Sequence, residues 1–299
     1  MAGIKLNWSD ELENLQSIVR YFSPSSGDLP KIQGIDIYGG TFPLNGIIGG
    51  DHIIYVDFRK RYDLEARMKI AEKAGRPDVV KNLASCQRKA AVALADVSGH
   101  RLTDVSLAMV LHQAFLLGAL YELDFYGDIT TRLFENLNTR FYQSSSVNKF
   151  VTLIYGEISE AGTFRFISAG HPAPVVFSRY YDRIMKISED LLTSFPPIGT
   201  IPSGNVIDRG RISSVLGFKD KYEVNEIKLM GAGDILLLYT DGLSELSCGE
   251  KDYFPTVLEA KLREVKDHSA KEIFEAIRES LLQFGQLQDD TSFVVIKRI

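Results

Sequence analysis

Four acidic sites in this chain share one local pattern, a carboxylate at the mouth of a short apolar run. Asp51 follows two glycines and opens HIIYV, and Asp96 closes AVALA ahead of VSGH. Asp241 closes ILLLYT ahead of Gly242, and Asp289 and Asp290 open TSFVVI. Taken singly, an Asp-Gly pair after a strand is a turn, and a polar pair before a strand is a loop. Taken together they describe different chemistry. Neighbouring strands lie about 5 Å apart, so carboxylates at adjacent strand ends converge on one point. There they repel each other unless a cation neutralises them, and hard oxygen ligands select Mg²⁺ or Mn²⁺ over zinc or copper. Two such ions clamp a phosphoryl group and hold a hydroxide for in-line attack.

The elements that must position these residues are strands. GIDIYGGTFPL, HIIYVDF, KAAVALADV, VTLIYGEI, GTFRFISA, APVVFS, DILLLYTD and TSFVVIKRI are apolar or alternating runs, most of them bounded by Gly, Pro, Asn or Asp. Only SEAG separates VTLIYGEI from TFRFISA, which requires antiparallel pairing. Helical patterns cover 8–22, with Ser9 as N-cap, and 103–122, where Val105, Met109, Val110, Ala114, Leu117 and Leu120 recur at helical spacing. Others cover 128–142, with Asp128 as cap, 255–265 and 269–284. Residues 62–85 predict two short helices broken near Gly75 and Pro77. The reading is one α+β domain, antiparallel sheet inside and helices outside, after a short N-terminal helix.

Bulk properties narrow the function. An apolar fraction of 45% over 299 residues supports a sizeable core, and a net charge of −5 with mixed signs gives no nucleic-acid footprint. No run of about 18 apolar residues predicts a membrane span. The N-terminus has no basic region followed by an apolar stretch, and Cys86 and Cys248 are too few for a disulfide framework, so the expected compartment is the cytoplasm. A full GxGxxG, an HxH or HExxH pair and a GxSxG elbow are all missing, which removes support for dinucleotide, zinc and serine-hydrolase sites.

Six motifs occur in order: GGD at 49–51, ALADVSGH at 93–100, FVTLIYGEI at 150–158, FRFISAGHPAPVVF at 164–177, DILLLYTDGLSEL at 234–246 and DDTSFVVIKR at 289–298. Together they resemble the SpoIIE/RsbU branch of the PPM metal-dependent serine/threonine protein phosphatases, over about residues 33–299. The resemblance implies a four-layer αββα sandwich of two antiparallel sheets flanked by helices. It also implies two ions, Mn²⁺ or Mg²⁺, held by Asp51, Asp96, the backbone carbonyl of Val97, Asp241 and Asp289, with Asp290 as the neighbouring alternative. Metal-activated water would then attack phosphoserine or phosphothreonine with no covalent enzyme intermediate.

Two departures stand out. The family usually has GHG or GKG where this chain has GHR, so Arg101 replaces a glycine. A guanidinium there suits phosphate oxygens, and His100 beside it suits general acid chemistry. Between Asp51 and Asp96 the chain carries about 25 more residues than the hairpin of most relatives. The domain expectation is therefore 1–30 as N-terminal helix and loop, then 31–299 as phosphatase domain with a helical insertion at about 60–87.

The expected function is hydrolysis of a phosphorylated regulatory protein, by analogy an anti-sigma-factor antagonist of the STAS type in a partner-switching pathway. The alternative is a catalytically weak phosphatase fold that binds a phosphoprotein partner. Residues 1–30 are too short for a sensor domain, so regulation is expected from a partner, from the insertion or from a homodimer through the N-terminal helix.

Overall fold

The computed structural model describes residues 8–22, 29–44, 49–99, 102–144, 149–188, 191–229 and 231–299. Strands β1 (Ile35–Phe42) and β2 (His52–Asp57) come first, after helix α1 (Trp8–Arg20). Helices α2 (Phe58–Arg61), α3 (Leu64–Lys73) and α4 (Pro77–Cys86) lead into β3 (Lys89–Val97), α5 (Leu102–Tyr126) and α6 (Thr131–Ser144). Strands β4 (Val151–Ser159), β5 (Thr163–Ala169), β6 (Val175–Ser178), β7 (Arg183–Met185), β8 (Asn225–Lys228) and β9 (Ile235–Tyr239) follow, with a 3-10 turn at Ile207–Arg211. The chain ends with α7 (Asp241–Ser244), the hairpin β10 (Ser247–Cys248) and β11 (Lys251–Asp252), α8 (Thr256–Val265), α9 (Ala270–Phe284) and β12 (Thr291–Arg298).

Two five-stranded sheets form, ordered β1-β12-β9-β6-β7 and β2-β3-β4-β5-β8, and every pairing is antiparallel. Alternation decides the layers. In β2, Ile53 and Tyr55 face the other sheet, joining Leu94, Ile154, Leu236, Leu238, Val294 and Ile296 in the inter-sheet core. The neighbours Ile54 and Val56 face outward and pack with Leu111, Phe115, Leu133 and Phe134 of α5 and α6. On the far side, Phe293 and Val295 of β12 pack with Leu258, Ile273, Ile277 and Leu281 of α8 and α9. The result is the αββα sandwich that the motifs imply. Both faces of β3 are covered, which explains why KAAVALADV reads as a continuous apolar run.

Several expectations need adjustment. The cap of α6 is Thr130, whose Oγ1 accepts the N–H of Arg132. Asp128 instead accepts the Ile129 N–H and pairs with Lys89. Helix α5 is longer than its pattern suggested and is long and apolar enough to cross a membrane. Here its Leu111, Phe115, Ala119 and Leu123 are core residues against sheet and α6. The two helices at 64–86 are docked rather than merely solvated. Arg67 pairs with Asp124 at 2.8 Å. Arg76 donates to the carbonyls of Asp124 and Phe125, Asn82 to that of Tyr126 and Cys86 to that of Gly127. These side chains satisfy the carbonyls that a helix C-terminus leaves without intrahelical partners.

Candidate active site

Register brings the acidic positions together. His52 pairs with Ala95 across β2 and β3, so the next step places Asp51 opposite Asp96. Phe293 pairs with Tyr239 across β12 and β9, so Asp241 falls opposite the start of β12, beside Asp289 and Asp290. One pair of strand ends belongs to each sheet, and the two pairs meet at the same end of the sandwich. One tie between them is Thr240, whose hydroxyl donates to Asp51 Oδ2 at 2.8 Å.

The turn carrying Asp51 lies backbone-to-backbone against the end of β3. A Cβ on Gly50 would stand 2.8 Å from the carbonyl oxygens of Val97 and Gly99, so only glycine allows this approach. Asp290 holds the same turn: its Oδ1 accepts the N–H of Leu44 at 2.7 Å and its Oδ2 that of Gly50 at 2.6 Å. Behind Asp96, the Ser98 carbonyl accepts from Lys149, which also pairs with the buried Asp104 at 2.5 Å.

Electrostatics shows the cost of this gathering. Burial, then repulsion from Asp96, raises the Asp51 pKa well above the ordinary range. Burial, then Asp241, Asp289 and Asp290, pushes Asp96 up to about 7. Burial and Asp289 raise Asp241 as well. Among the described residues, Asp51 Oδ1 is buried with no hydrogen-bond partner. A buried carboxylate oxygen without a donor, among carboxylates that repel each other, fits a hard divalent cation. Among the described residues, however, no three His, Cys, Asp or Glu side chains are gathered closely enough to hold an ion together. The geometry also separates the terminal pair. Asp290 is buried and bound to backbone amides, while Asp289 is half-buried and repels both Asp96 and Asp241.

His100 and Arg101 lie outside the described residues. Five contributors went unremarked in the sequence. Thr240 is one. His52 is another, its Nε2 sharing a 2.7 Å hydrogen bond with His112 Nδ1 of α5. Burial, then His112, lowers the His52 pKa to about 3. Thr152, opposite Asp96, hydrogen-bonds His171 Nδ1 at 2.9 Å. Lys149 and Asp104 complete the set. A polar residue directly beside each motif aspartate was the available signal for Thr240 and His52.

Comparison with known proteins defines first the class and then the family. The fold is that of PP2C-type phosphatases. The SiaA-PP2C domain of Pseudomonas aeruginosa superposes with a TM-score of 0.64 over 100% of both chains at 14% identity. The catalytic domain of the serine/threonine phosphatase PstP, in complex with two manganese ions, superposes with a TM-score of 0.51 at 14% identity, covering 88% of this chain and 97% of that one. Within that class the chain belongs to the SpoIIE family, whose model, Stage II sporulation protein E, matches residues 87–299. It is 23% identical to the phosphoserine phosphatase RsbU of Bacillus subtilis (strain 168) over 215 residues, which is 69% of this chain. The match spans 55% of that relative's length.

Proposed function

We propose that the chain is a metal-dependent protein serine/threonine phosphatase. The observation that carries this reading is the meeting of Asp51, Asp96, Asp241 and Asp289 at one end of the sandwich, where burial and mutual repulsion raise the pKa values of Asp51, Asp96 and Asp241. Residues 31–299 form the catalytic domain, with 60–87 as its helical insertion. Asp51, Asp96, the Val97 carbonyl, Asp241 and Asp289 hold the ions, two of them, Mn²⁺ or Mg²⁺. When bound, such ions lower the pKa of a water and neutralise phosphoryl charge. The chain's own part is orientation. Thr240 fixes Asp51, Asp290 fixes the turn that carries it, and Lys149 fixes the loop after Asp96. His100 and Arg101 are assigned from sequence alone, His100 to proton delivery and Arg101 to phosphate contact.

The substrate is a phosphorylated regulatory protein in the cytoplasm. Membership in the SpoIIE family and the likeness to RsbU support a STAS-type antagonist in a partner-switching pathway. A homodimer through α1 belongs to the same reading. The second reading, a phosphatase fold that binds a phosphoprotein without turnover, rests on the finding that among the described residues no three His, Cys, Asp or Glu side chains are placed to hold an ion together. Release of phosphate from phosphoserine peptides, nucleotides and sugar phosphates, each with Mn²⁺, Mg²⁺ or chelator, separates the possibilities. Metal-dependent turnover of the peptide is expected. Binding without turnover supports the second reading, and a preference for small phosphates contradicts both.

A further inference from the structure

The helical segment between the two acidic strands of the second sheet carries a charge that catalysis does not use. Residues 58–89 hold ten Lys or Arg against four Asp or Glu, while the rest of the chain holds 24 against 35. Part of this positive charge is structural. Arg67 pairs with Asp124, Arg76 caps α5, Lys89 pairs with Asp128 and Glu157, and Arg88 pairs with Glu160. Lys60, Arg61, Lys69, Lys73 and Lys81 are exposed.

The shape is concave. Arg59, Lys60 and Arg61 wall a hollow of about 460 Å³ with Tyr62, Leu64 and Gln87, and the acidic Asp63 and Glu65 stand at the same hollow. A second hollow of about 220 Å³ shares Lys60 and Arg61 and adds Tyr55 and Asp57. The carboxylate of Asp57 is engaged by the backbone N–H groups of Lys31, Arg59 and Lys60, and that of Asp63 by Ala66. Two apolar side chains stand exposed on the joined helices. Ile70 of α3 is 67% exposed, and Phe125 of α5 is 61% exposed. Arg67 and Arg76 join the two helices between them.

We propose that the exposed face of α2 and α3, with the last turn of α5, is a docking surface for an acidic amphipathic segment of a protein partner. Carboxylates of that segment meet Arg61, Lys69 and Lys73, and its apolar side chains cover Ile70 and Phe125. Charge complementarity argues for the acidic partner. The paired hollows favour discrete side chains over the flat plane of a lipid headgroup layer. The surface lies at the opposite end of β2 from Asp51, roughly 20 Å away at about 3.4 Å per residue. A docked segment therefore leaves the strand ends open. The inference stands apart from the phosphatase reading, because binding is measured without turnover.

The test is fluorescence anisotropy of the full chain with a labelled synthetic peptide carrying Glu on one face and Leu at i, i+4 and i+7. Reversal of Arg61→Glu, Lys69→Glu and Lys73→Glu together is expected to weaken binding ~10-fold or more. The matched reversal Lys186→Glu, Lys221→Glu and Lys251→Glu, which changes net charge equally, is expected to change it less than about twofold. Ile70→Asp alone, with an unchanged circular dichroism melt, should weaken the peptide as well. Equal weakening by both triple variants, no peptide binding, or tighter binding to phosphatidylserine vesicles or an oligonucleotide would each overturn the proposal. So would concentration-dependent dimer mass by light scattering that the first triple variant abolishes, because a second copy would then be the occupant.

Discussion

At the scale of single residues, the site depends on donors that hold carboxylates where repulsion would push them apart. Thr240 is the clearest case, since its hydroxyl donates to the buried Asp51 and joins the two sheets. Thr240→Val removes the donor to Asp51 Oδ2. It should cost about 1–3 kcal/mol in chemical denaturation and raise the Mn²⁺ needed for half-maximal activity ~10-fold or more. An unchanged metal requirement would remove Thr240 from the site. His171 gives a separate test. Burial lowers its pKa from 6.5 to about 3, so it is neutral in the folded protein at pH 5, while the unfolded chain takes up a proton there. Stability therefore falls as pH drops below 6.5, levelling off near 3. The contribution of His171 is about 2 kcal/mol between pH 7 and pH 5. His171→Gln should lose correspondingly less over that interval in urea titrations at the two pH values.

At the scale of elements, α5 is gripped at both ends. Its start lies beside the loop after Asp96, where Asp104 meets Lys149, and its last carbonyls are capped from α4 and the turn before it. Arg76→Ala should cost about 1–3 kcal/mol in stability and speed hydrogen exchange in the last two turns of α5. Protection unchanged in those turns would show the cap to be idle. The long strands and both halves of the 64–86 helical pair were legible because apolar runs and the Gly75/Pro77 break are local signals. Strands β7 and β8 were not, since Arg183–Met185 and Asn225–Lys228 are short and partly exposed and take their register from neighbouring strands. Helix α2 is a single turn created by the Asp57 cap, which periodicity over eleven residues does not detect. In the site, the aspartates were legible from strand-mouth position. Their supports were not, because Thr240 acts across 189 residues of sequence and Asp290 across 240.

At the scale of the whole molecule, two sheets that share few sequence-local contacts must stack in one register to bring Asp51 and Asp96 to Asp241 and Asp289. The fold concentrates negative charge at that end, and the 58–89 segment carries compensating positive charge at the other end of β2. Membership in the SpoIIE family states which architecture this is, and the electrostatics states what the architecture needs at its acidic end. The most direct test is phosphate release from a phosphoserine peptide across a Mn²⁺ series, for the unmodified chain, Asp96→Asn and Asp241→Asn. Activity is expected to rise with Mn²⁺, vanish with chelator and fall at least ~100-fold in either variant. Activity that ignores the metal, or full activity in both variants, would contradict the phosphatase reading.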